Sequence, residues 1–315
     1  MQSAKWSILL PVIATLFWGG NFVAGRMTLP EVPPFTLSLL RWSIALLILV
    51  PFTYRDIRAN YRQYAKHWKA LMGMGFLGIA AFTVTVYESI LHTSAINAAI
   101  LSSWAPLMIV IVSFFVLKEK INSSQVVGLV MSFVGVMWIV SKGSLTQFSQ
   151  MELNMGDLLM LMGNLIWAFY SILLRKTSGH VPGLSGFTLS IASGILFLLP
   201  GSLWEMQTQV VRIGTGEIIG ALLYLGIFAS VISFFCWTLA VQRMGPTKAS
   251  PFLNLVPFFA TIFAMIILNE KLLMAQAIGG MFILVGVYVS FQQRKPRRIP
   301  FFGKQDQSTT REVNA

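Results

Sequence analysis

Two stretches decide the fold of this chain: residues 117–136, LKEKINSSQVVGLVMSFVGV, and residues 268–287, LNEKLLMAQAIGGMFILVGV. They lie 151 positions apart and share a Leu-x-Glu-Lys turn, a glutamine, a glycine and a closing Val-Gly-Val in the same order. Further segments recur at nearly the same offset: residues 35–38 as 187–190, Trp18 as Trp167, Arg26 as Arg175 and Pro106 as Pro257. The repetition predicts two tandem copies of one unit.

Ten apolar runs are long enough to cross a bilayer, because about 20 helical residues span roughly 30 Å of hydrocarbon. They fall into two sets of five: 6–26, 34–54, 69–90, 95–117 and 124–141, then 155–174, 184–202, 216–239, 246–268 and 274–292. Five is an odd number, so the second copy must lie inverted relative to the first. The predicted fold is an all-α membrane protein of ten transmembrane helices in two inverted five-helix repeats.

The repeats divide the chain into four predicted regions. Residues 1–142 form the first five-helix repeat, 143–154 an outer linker, 155–292 the second repeat, and 293–315 a basic cytoplasmic tail. The tail is polar, holds Pro296 and Pro300 and has no apolar periodicity, so we expect it to be disordered and close to the lipid surface.

The positive charges are distributed unevenly between the two sides of the predicted helices. The formal net charge is +12, and with the N-terminus in the cytoplasm 18 Lys and Arg residues lie inside and 4 outside, which leaves Arg41 within a span. The positive-inside rule then places both termini in the cytoplasm. The basic surplus is expected to contact anionic lipid headgroups, and nucleic acid is not an expected partner.

Several classes of protein lack support in the sequence. There is no G-x-x-x-x-G-K-[ST] loop, which excludes a nucleotide-driven pump within this chain. The three histidines fall in predicted loops and the single cysteine, Cys236, in an apolar run, so neither a metal site, a cofactor nor a membrane enzyme is expected. No acidic residue occupies the middle of a run, so no carboxylate proton relay is visible.

The first and sixth runs carry matching polar and aromatic stripes at helical spacing. Thr15, Trp18 and Asn21 share one helical face, as do Asn164, Trp167 and Tyr170. Polar amides in the middle of a span cost free energy unless they pair or face water, so they tend to point into the bundle. The stripes either line a cavity or join helices by packing and hydrogen bonds.

The fourth and ninth runs each hold a proline near the middle, Pro106 and Pro257. A proline inside a helix lacks its N–H and clashes with the carbonyl four residues earlier, here that of Ser102 or Leu253, so each helix is expected to kink there. Trp104 and Asn254 are polar groups at the same depth. The kinks are either purely structural or also line a solute path and act as hinges.

Arg41 is the only charged residue well inside a run. An arginine near the bilayer centre costs roughly 3 kcal/mol, so its side chain must extend to the surface, find partners in the bundle or bind an anionic solute group. Tyr87 in the third run and Trp237 in the eighth, which also holds Ser230 and Ser233, are further candidates for the site.

Several specific stretches resemble the EamA branch of the drug/metabolite transporter superfamily, over about residues 6–292. These stretches are Phe17–Phe22, Leu40–Trp42, Ser94–Ala99 leading to Pro106, Gly245–Ser250 leading to Phe252–Pro257, and both Glu-Lys turns. The resemblance implies a ten-helix bacterial inner-membrane protein in which spans one to four and six to nine surround a central cavity. It also implies export of amino acids, related metabolites or amphipathic drugs.

The residues and the resemblance together lead to one functional hypothesis, a secondary transporter that works by alternating access. The predicted solute site comprises Trp18, Asn21, Arg41, Tyr87, Trp104, Trp167, Tyr170, Trp237 and Asn254, with Pro106 and Pro257 as hinges. The alternatives are a non-transporting membrane sensor or scaffold, or an antiporter of anionic metabolites. The solute, the energy coupling, the direction of net flux and the oligomeric state, a homodimer included, stay open.

Overall fold

The computed structural model describes residues 2–93, 101–119, 121–141, 143–144, 154–181, 183–268 and 274–291. These residues are almost entirely helical, and no strand occurs among them. Most of the predicted linker at 143–154, the predicted tail at 293–315, residues 94–100 and the second Glu-Lys turn lie outside the described residues.

The apolar helices follow the predicted spans in order. They are α1 (Gln2–Thr28), α2 (Pro34–Ala59), α3 (Trp68–His92), α4 (Ala105–Leu117), α5 (Ser123–Val140), α6 (Met155–Thr177), α7 (Gly183–Thr208), α8 (Gly216–Met244), α9 (Leu255–Leu268) and α10 (Met274–Phe291). A short helix, Tyr61–Lys66, joins α2 to α3, and the segments Pro246–Ala249 and Ser250–Asn254 lead into α9.

Length and composition identify the membrane helices. Among the described residues, seven helices are long and apolar enough to cross a membrane: α1, α2, α3, α5, α6, α7 and α8. Helices α4 and α10 are shorter and apolar. Large apolar side chains such as Leu47, Phe52 and Phe115 are exposed on the outside of the bundle, as lipid contact requires. The protein is a multi-pass helical membrane protein, and ten crossings stay a prediction.

Equivalent helices of the two repeats run antiparallel to each other. The first turn of α2, at Phe35 and Thr36, contacts Glu205 near the end of α7, while Ser185 at the start of α7 contacts Asp56 near the end of α2. In the pair α5 and α10, Gly128 likewise lies against Gly286, and Gly135 against Gly279. Since α2 is equivalent to α7 and α5 to α10, the repeats are inverted about an axis between them.

The first helix of each repeat packs against helices of the other repeat. Helix α1 packs on α8 and α9, and its equivalent α6 packs on α3 and α4. The cores of the two repeats therefore interlock. We call the end of the bundle where α1 finishes and α2 begins the upper end, and the opposite end the lower end. The charge pattern predicts that the upper end faces outward and the lower end faces the cytoplasm.

Helices α3 and α8 each contain a π-helical segment at equivalent positions, Gly75–Ala81 and Leu225–Ile232. A π turn leaves carbonyls poorly matched to their usual partners and is frequent at functional sites. Gly75 and its equivalent Gly226 allow close packing there, because a Cβ on Gly75 would lie 2.5 Å from the Ser190 carbonyl oxygen and one on Gly226 would lie 2.6 Å from the Ile44 side chain. The sequence reading did not predict these segments.

Carboxylates fasten the two ends of the α2–α7 pair. At the upper end the buried Glu205 accepts hydrogen bonds from the backbone N–H groups of Phe35 (2.9 Å) and Thr36 (2.7 Å), which are unpaired donors of the first turn of α2. At the lower end Asp56 accepts from Ser185 (2.5 Å) and Tyr64 (2.6 Å). Burial and the bond to Asp56 raise the pKa of Tyr64 to about 12.

The two prolines predicted as hinges lie in first turns rather than inside continuous helices. Pro106 is the second residue of α4, after a turn at Ser103 and Trp104, and Pro257 is the third residue of α9, after the 3-10 segment Ser250–Asn254. The expected kink is therefore a helix break in both repeats. The physical reason is that a proline is best tolerated in the first turn, where its missing N–H removes no helical hydrogen bond.

Candidate functional site

A cavity with about 750 Å³ of empty space, its open mouth included, lies between the two repeats. Of the predicted site residues, Trp18, Asn21, Arg41, Tyr87 and Trp167 line it. The other lining residues are Phe82, Thr83, Val86, Ser102, Ala105, Met160, Asn164, Phe234, Leu253 and Val256. These side chains come from both repeats, so neither repeat forms the cavity alone.

Repeat partners, residues at equivalent positions of the two repeats, locate the cavity on the pseudo-two-fold axis. Four pairs of repeat partners line it on both sides: Trp18 with Trp167, Thr83 with Phe234, Ser102 with Leu253, and Ala105 with Val256. The two members of each pair lie on opposite sides of the pseudo-two-fold axis. A space lined by both members of four such pairs therefore contains the axis. The two residues whose carbonyls stand four positions before the prolines, Ser102 and Leu253, are among them.

The rest of the lining extends toward the upper end only. Asn21, Arg41, Tyr87 and Asn164 line the cavity, but their repeat partners Tyr170, Ser193, Thr238 and Thr15 do not. At the lower end there is a smaller space of about 260 Å³ whose lining includes Tyr170, Phe187 and Thr238. The cavity is thus one-sided, although the backbone that surrounds it is nearly symmetric.

A cluster of aromatic rings closes the cavity toward the lower end. The Trp18 ring centroid lies 5.3 Å from that of Trp167 and 5.4 Å from that of Phe234, both edge to face, and Trp237 lies 5.7 Å from Trp167. Such ring pairs add about 0.5–1.5 kcal/mol each beyond the burial of their area. Trp237 is fully buried. We call these four rings the aromatic plug.

The π segment of α8 holds the plug in place. The Trp18 indole N–H donates to the Ala229 carbonyl at 3.1 Å, within that segment, and the Trp237 indole N–H donates to the Ser171 hydroxyl at 3.3 Å. Tyr224, in the helical turn before the segment, donates to the Phe17 carbonyl at 2.8 Å. A carbonyl of the π turn therefore helps to fix the ring that forms the floor of the cavity.

Arg41 is 98% buried and forms the polar centre of the cavity wall, since its relative exposure is 2%. Its Nε donates to the Ser230 hydroxyl at 2.8 Å, and its Nη1 donates to Asn21 Oδ1 at 2.9 Å and to the Tyr87 hydroxyl at 2.5 Å. The guanidinium also lies 5.3 Å from the centroid of the Trp42 ring. All of these partners are neutral, so the positive charge stays uncompensated within the described residues.

Four predicted site residues lie outside the cavity lining. Tyr170 and Trp237 are buried behind the Trp167 ring, with centroids 5.1 and 5.7 Å from it. Trp104 is 37% exposed and packs edge to face on Phe133, away from the axis. Asn254 is fully buried in the 3-10 segment, and neither its amide nitrogen nor its carbonyl oxygen has a hydrogen-bond partner among the described residues.

Sequence reasoning missed part of the apolar lining, above all Phe82, Met160, Phe234 and Val256. Apolar residues in an apolar helix give no signal of their own, whereas the repeat offset points to Phe234 and Val256 as equivalents of Thr83 and Ala105. Asn164 donates to the Leu101 carbonyl at 2.6 Å, at the helix break before α4, and it lines the cavity. The polar stripe that contains Asn164 was therefore a sequence signal for this part of the lining.

The chemical character of the lining is that of a binding site for a small molecule. No group of three His, Cys, Asp or Glu side chains within the described residues could hold a metal ion. The lining combines aromatic and aliphatic surface with a few polar groups and one cation, the pattern of a small-molecule binding site. A cavity on the axis between inverted repeats, near the middle of membrane helices, is where transporters with inverted repeats hold their solute.

Comparison with known proteins identifies the family. The model of the EamA-like transporter family matches residues 5–141 and 154–292, so this chain belongs to that family, and the predicted resemblance is confirmed. An uncharacterized transporter of Archaeoglobus fulgidus is 30% identical over 282 residues, covering 90% of this chain and 96% of that protein. The uncharacterized transporter YyaM of Bacillus subtilis is 26% identical over 298 residues, covering 93% of this chain and 95% of that protein.

A more distant relative and a solved structure are also similar to this chain. The WAT1-related protein At3g02690, chloroplastic, of Arabidopsis thaliana is 24% identical and covers 90% of this chain and 69% of its own length. A solved structure titled only as the crystal structure of a protein superposes with a TM-score of 0.75 at 20% identity, covering 90% of this chain and 96% of that one, and supports the fold. The protein is a membrane transporter of the EamA-like family.

Proposed function

We propose that this protein is a secondary transporter, an exporter or facilitator, that moves amino acids or related small amphipathic metabolites and drugs across the bacterial inner membrane by alternating access. The solute binds in the axial cavity, and the lipid surface on the cytoplasmic side contacts the basic loops and tail. Both termini are proposed to be cytoplasmic, since that orientation places most of the positive charge inside.

One observation carries the proposal: the cavity lies on the pseudo-two-fold axis, and beyond its central part the described residues that line it lie toward the upper end only. In an inverted repeat, exchanging the conformations of the two halves produces the same fold with the opposite end open. The opposite state would open the space around Tyr170, Phe187 and Thr238 and close the space around Asn21 and Tyr87. The small space at the lower end, lined by Tyr170, Phe187 and Thr238, supports this proposal.

The helix breaks before Pro106 and Pro257 supply the proposed movable joints. Helices that lack continuous hydrogen bonds at one point bend there with little loss of backbone bonding, so α4 and α9 can tilt about their breaks. The aromatic plug would then move from the lower to the upper side of the solute. A facilitator needs no coupling ion, which fits a cavity without carboxylates among the described residues.

Transport is tested with the purified full chain in liposomes. We expect entry of at least one radiolabelled solute from a panel of amino acids, aromatic acids and amphipathic amines, above the rate of empty vesicles. Trp18→Ala should reduce that rate, and Trp204→Ala, which removes a tryptophan exposed on α7, should not. A panel without any protein-dependent flux would contradict the proposal and favour the sensor or scaffold alternative.

Alternating access is tested by a matched pair of cysteines. The single native cysteine, Cys236, is buried, and replacing it by serine gives a background without thiols. Asn164→Cys lies in the cavity, whereas its repeat partner Thr15→Cys lies in the closed half, where Thr15 is fully buried. A membrane-impermeant thiol reagent should reach the two positions from opposite sides of the membrane. Labelling of both from the same side would contradict alternating access.

A further inference from the structure

Arg41 is a buried cation that lacks a counter-ion. Among the described residues it forms no ion pair, and its three hydrogen-bond partners, Asn21, Tyr87 and Ser230, are neutral. Buried charges in proteins are normally paired, because neutral dipoles only partly replace the lost hydration. The arrangement therefore holds the guanidinium rigidly on three helices besides its own and leaves its charge available.

The unused donors of this cluster belong to two residues of the cavity lining. A guanidinium carries five N–H groups, and the bonds from Nε and Nη1 occupy three of them, which leaves both N–H groups of Nη2. Arg41 and Asn21 both line the cavity. Because Asn21 accepts from Arg41 through Oδ1, its amide nitrogen is a further donor, and it has no hydrogen-bond partner among the described residues.

The rest of the lining suits the apolar body of a small organic molecule. Trp18, Phe82, Trp167 and Phe234 present rings, and Val86, Met160 and Val256 present aliphatic surface. Arg41 is the only charged residue among the described residues that line the cavity. An ammonium group would find ring faces and neutral oxygens there but no carboxylate, whereas an anion finds a buried guanidinium.

We propose that the cavity contains a carboxylate subsite formed by Arg41 Nη2 and the amide of Asn21, and that the transported solute is an amphipathic monocarboxylate, with or without an amino group. This inference rests on the proposed function and names the solute group that the transporter recognises. A phosphate dianion is disfavoured, because one cation would compensate only half of its charge. A cation without a carboxylate is disfavoured because it would lie beside an uncompensated guanidinium.

The test uses three probes with the same ring and chain but different charged groups: 3-phenylpropionate, L-phenylalanine and phenethylamine. Their dissociation constants are obtained near pH 7 from the rise of the melting temperature of the detergent-purified full chain with ligand concentration, in gluconate buffer. We expect phenethylamine to bind about tenfold to a hundredfold more weakly than 3-phenylpropionate, the factor that a charge-assisted hydrogen bond supplies. L-phenylalanine should bind within a few-fold of 3-phenylpropionate.

Variants then assign the effect to Arg41. Arg41→Gln should abolish the preference for 3-phenylpropionate over phenethylamine, Arg41→Lys should retain part of it, and Arg26→Gln, an exposed arginine at the upper end, should leave it unchanged. Arg41 links four helices, so its replacement can destabilise the fold. The three-probe series on the unmodified protein avoids this problem because it needs no variant. Chloride is added in a separate melt to compare an inorganic anion with the organic carboxylate.

The possible outcomes separate this inference from the proposed function. Equal binding of phenethylamine and 3-phenylpropionate, no binding of 3-phenylpropionate at millimolar concentration, or a chloride effect as large as that of 3-phenylpropionate would each overturn the carboxylate subsite. In each case, protein-dependent flux of any solute in liposomes would leave the transport proposal standing. Conversely, Arg41-dependent binding of 3-phenylpropionate without flux of any solute would support the subsite and refute transport.

Discussion

The upper and lower halves of the central axis share one backbone plan but carry different side chains. At the upper end Asn21, Arg41 and Tyr87 line a cavity that carries one positive charge, whereas their repeat partners Tyr170, Ser193 and Thr238 are buried toward the lower end and carry no charge. Duplication supplies the symmetric frame that two alternative states require, and divergence restricts the charged site to one side. A strictly symmetric protein would present its solute with two such sites.

The largest expected effect concerns the glycines of the two π segments. A Cβ on Gly75 would meet backbone atoms of Ser190 and Gly194 at 2.5 and 2.6 Å, so Gly75→Ala should destabilise the protein by about 3 kcal/mol. Gly226→Ala, its repeat partner, meets mainly the Ile44 side chain and should cost about 1–2 kcal/mol. Melting temperatures in detergent measure both.

Gly220→Ala is the control for these two variants, because a Cβ on Gly220 meets no atom within 4 Å. It should melt at or slightly above the temperature of the unmodified protein, because alanine is a better helix former than glycine. If all three glycine variants lost the same stability, the close packing around the π segments would not be the cause.

The second-largest loss of stability is expected from replacing the carboxylates at the two ends of the α2–α7 pair. Glu205→Gln leaves a buried cluster of donors with a neutral acceptor and should cost about 2 kcal/mol of stability. Asp56→Asn at the lower end, where the side chain is half-buried, should cost about 0.5–1 kcal/mol. Thermal melts near pH 7 measure the loss of stability in each variant. A larger loss for Asp56→Asn than for Glu205→Gln would contradict this prediction.

A smaller effect is expected from the hydrogen bond between the aromatic plug and the π segment. Trp18→Phe removes the bond to the Ala229 carbonyl and should cost about 1 kcal/mol, the size of typical hydrogen bonds inside membrane proteins. Trp204→Phe, at an exposed position, is the matched control. Liposome flux should fall for Trp18→Phe only. An equal fall in both variants would show that this hydrogen bond of the plug does not affect transport.

The smallest expected effect compares two equivalent arginines. Arg175 donates to the Gln242 carbonyl at 2.8 Å and so ties α6 to α8 at the lower end, while Arg26 is exposed at the upper end. Arg175→Gln should cost about 0.5 kcal/mol, and Arg26→Gln should cost nothing measurable. Thiol labelling of Thr15→Cys from the lower side should rise in the Arg175→Gln background. Unchanged labelling would show that this bond does not hold the lower end shut.

Much of the architecture could be predicted because it depends on local or repeated features. Apolar runs of the right length indicate membrane helices, and the odd number of runs per repeat predicted the inversion that the antiparallel pairs α2–α7 and α5–α10 display. Trp18 and Asn21 of the predicted stripe line the cavity, and a polar amide in mid-membrane has few other places to point.

Other features depend on contacts between distant segments and could not be predicted. The two π segments pack closely against α7 and α2 at Gly75 and Gly226, and no pattern within one helix encodes that fit. Trp104 shares the depth of the cavity but turns outward to Phe133, because the helix break before α4 changes the direction of its side chain.

By itself, the sequence determined that this protein is a duplicated helical membrane protein whose halves are inverted, because helix length and apolar periodicity are properties of each segment alone. Only the tertiary structure decided toward which end of the axis the cavity lining extends, which rings form the aromatic plug, and that Arg41 meets Asn21, Tyr87 and Ser230 from three other helices. Those features follow from how side chains far apart in the chain fill a shared volume, and each depends on all the helices at once.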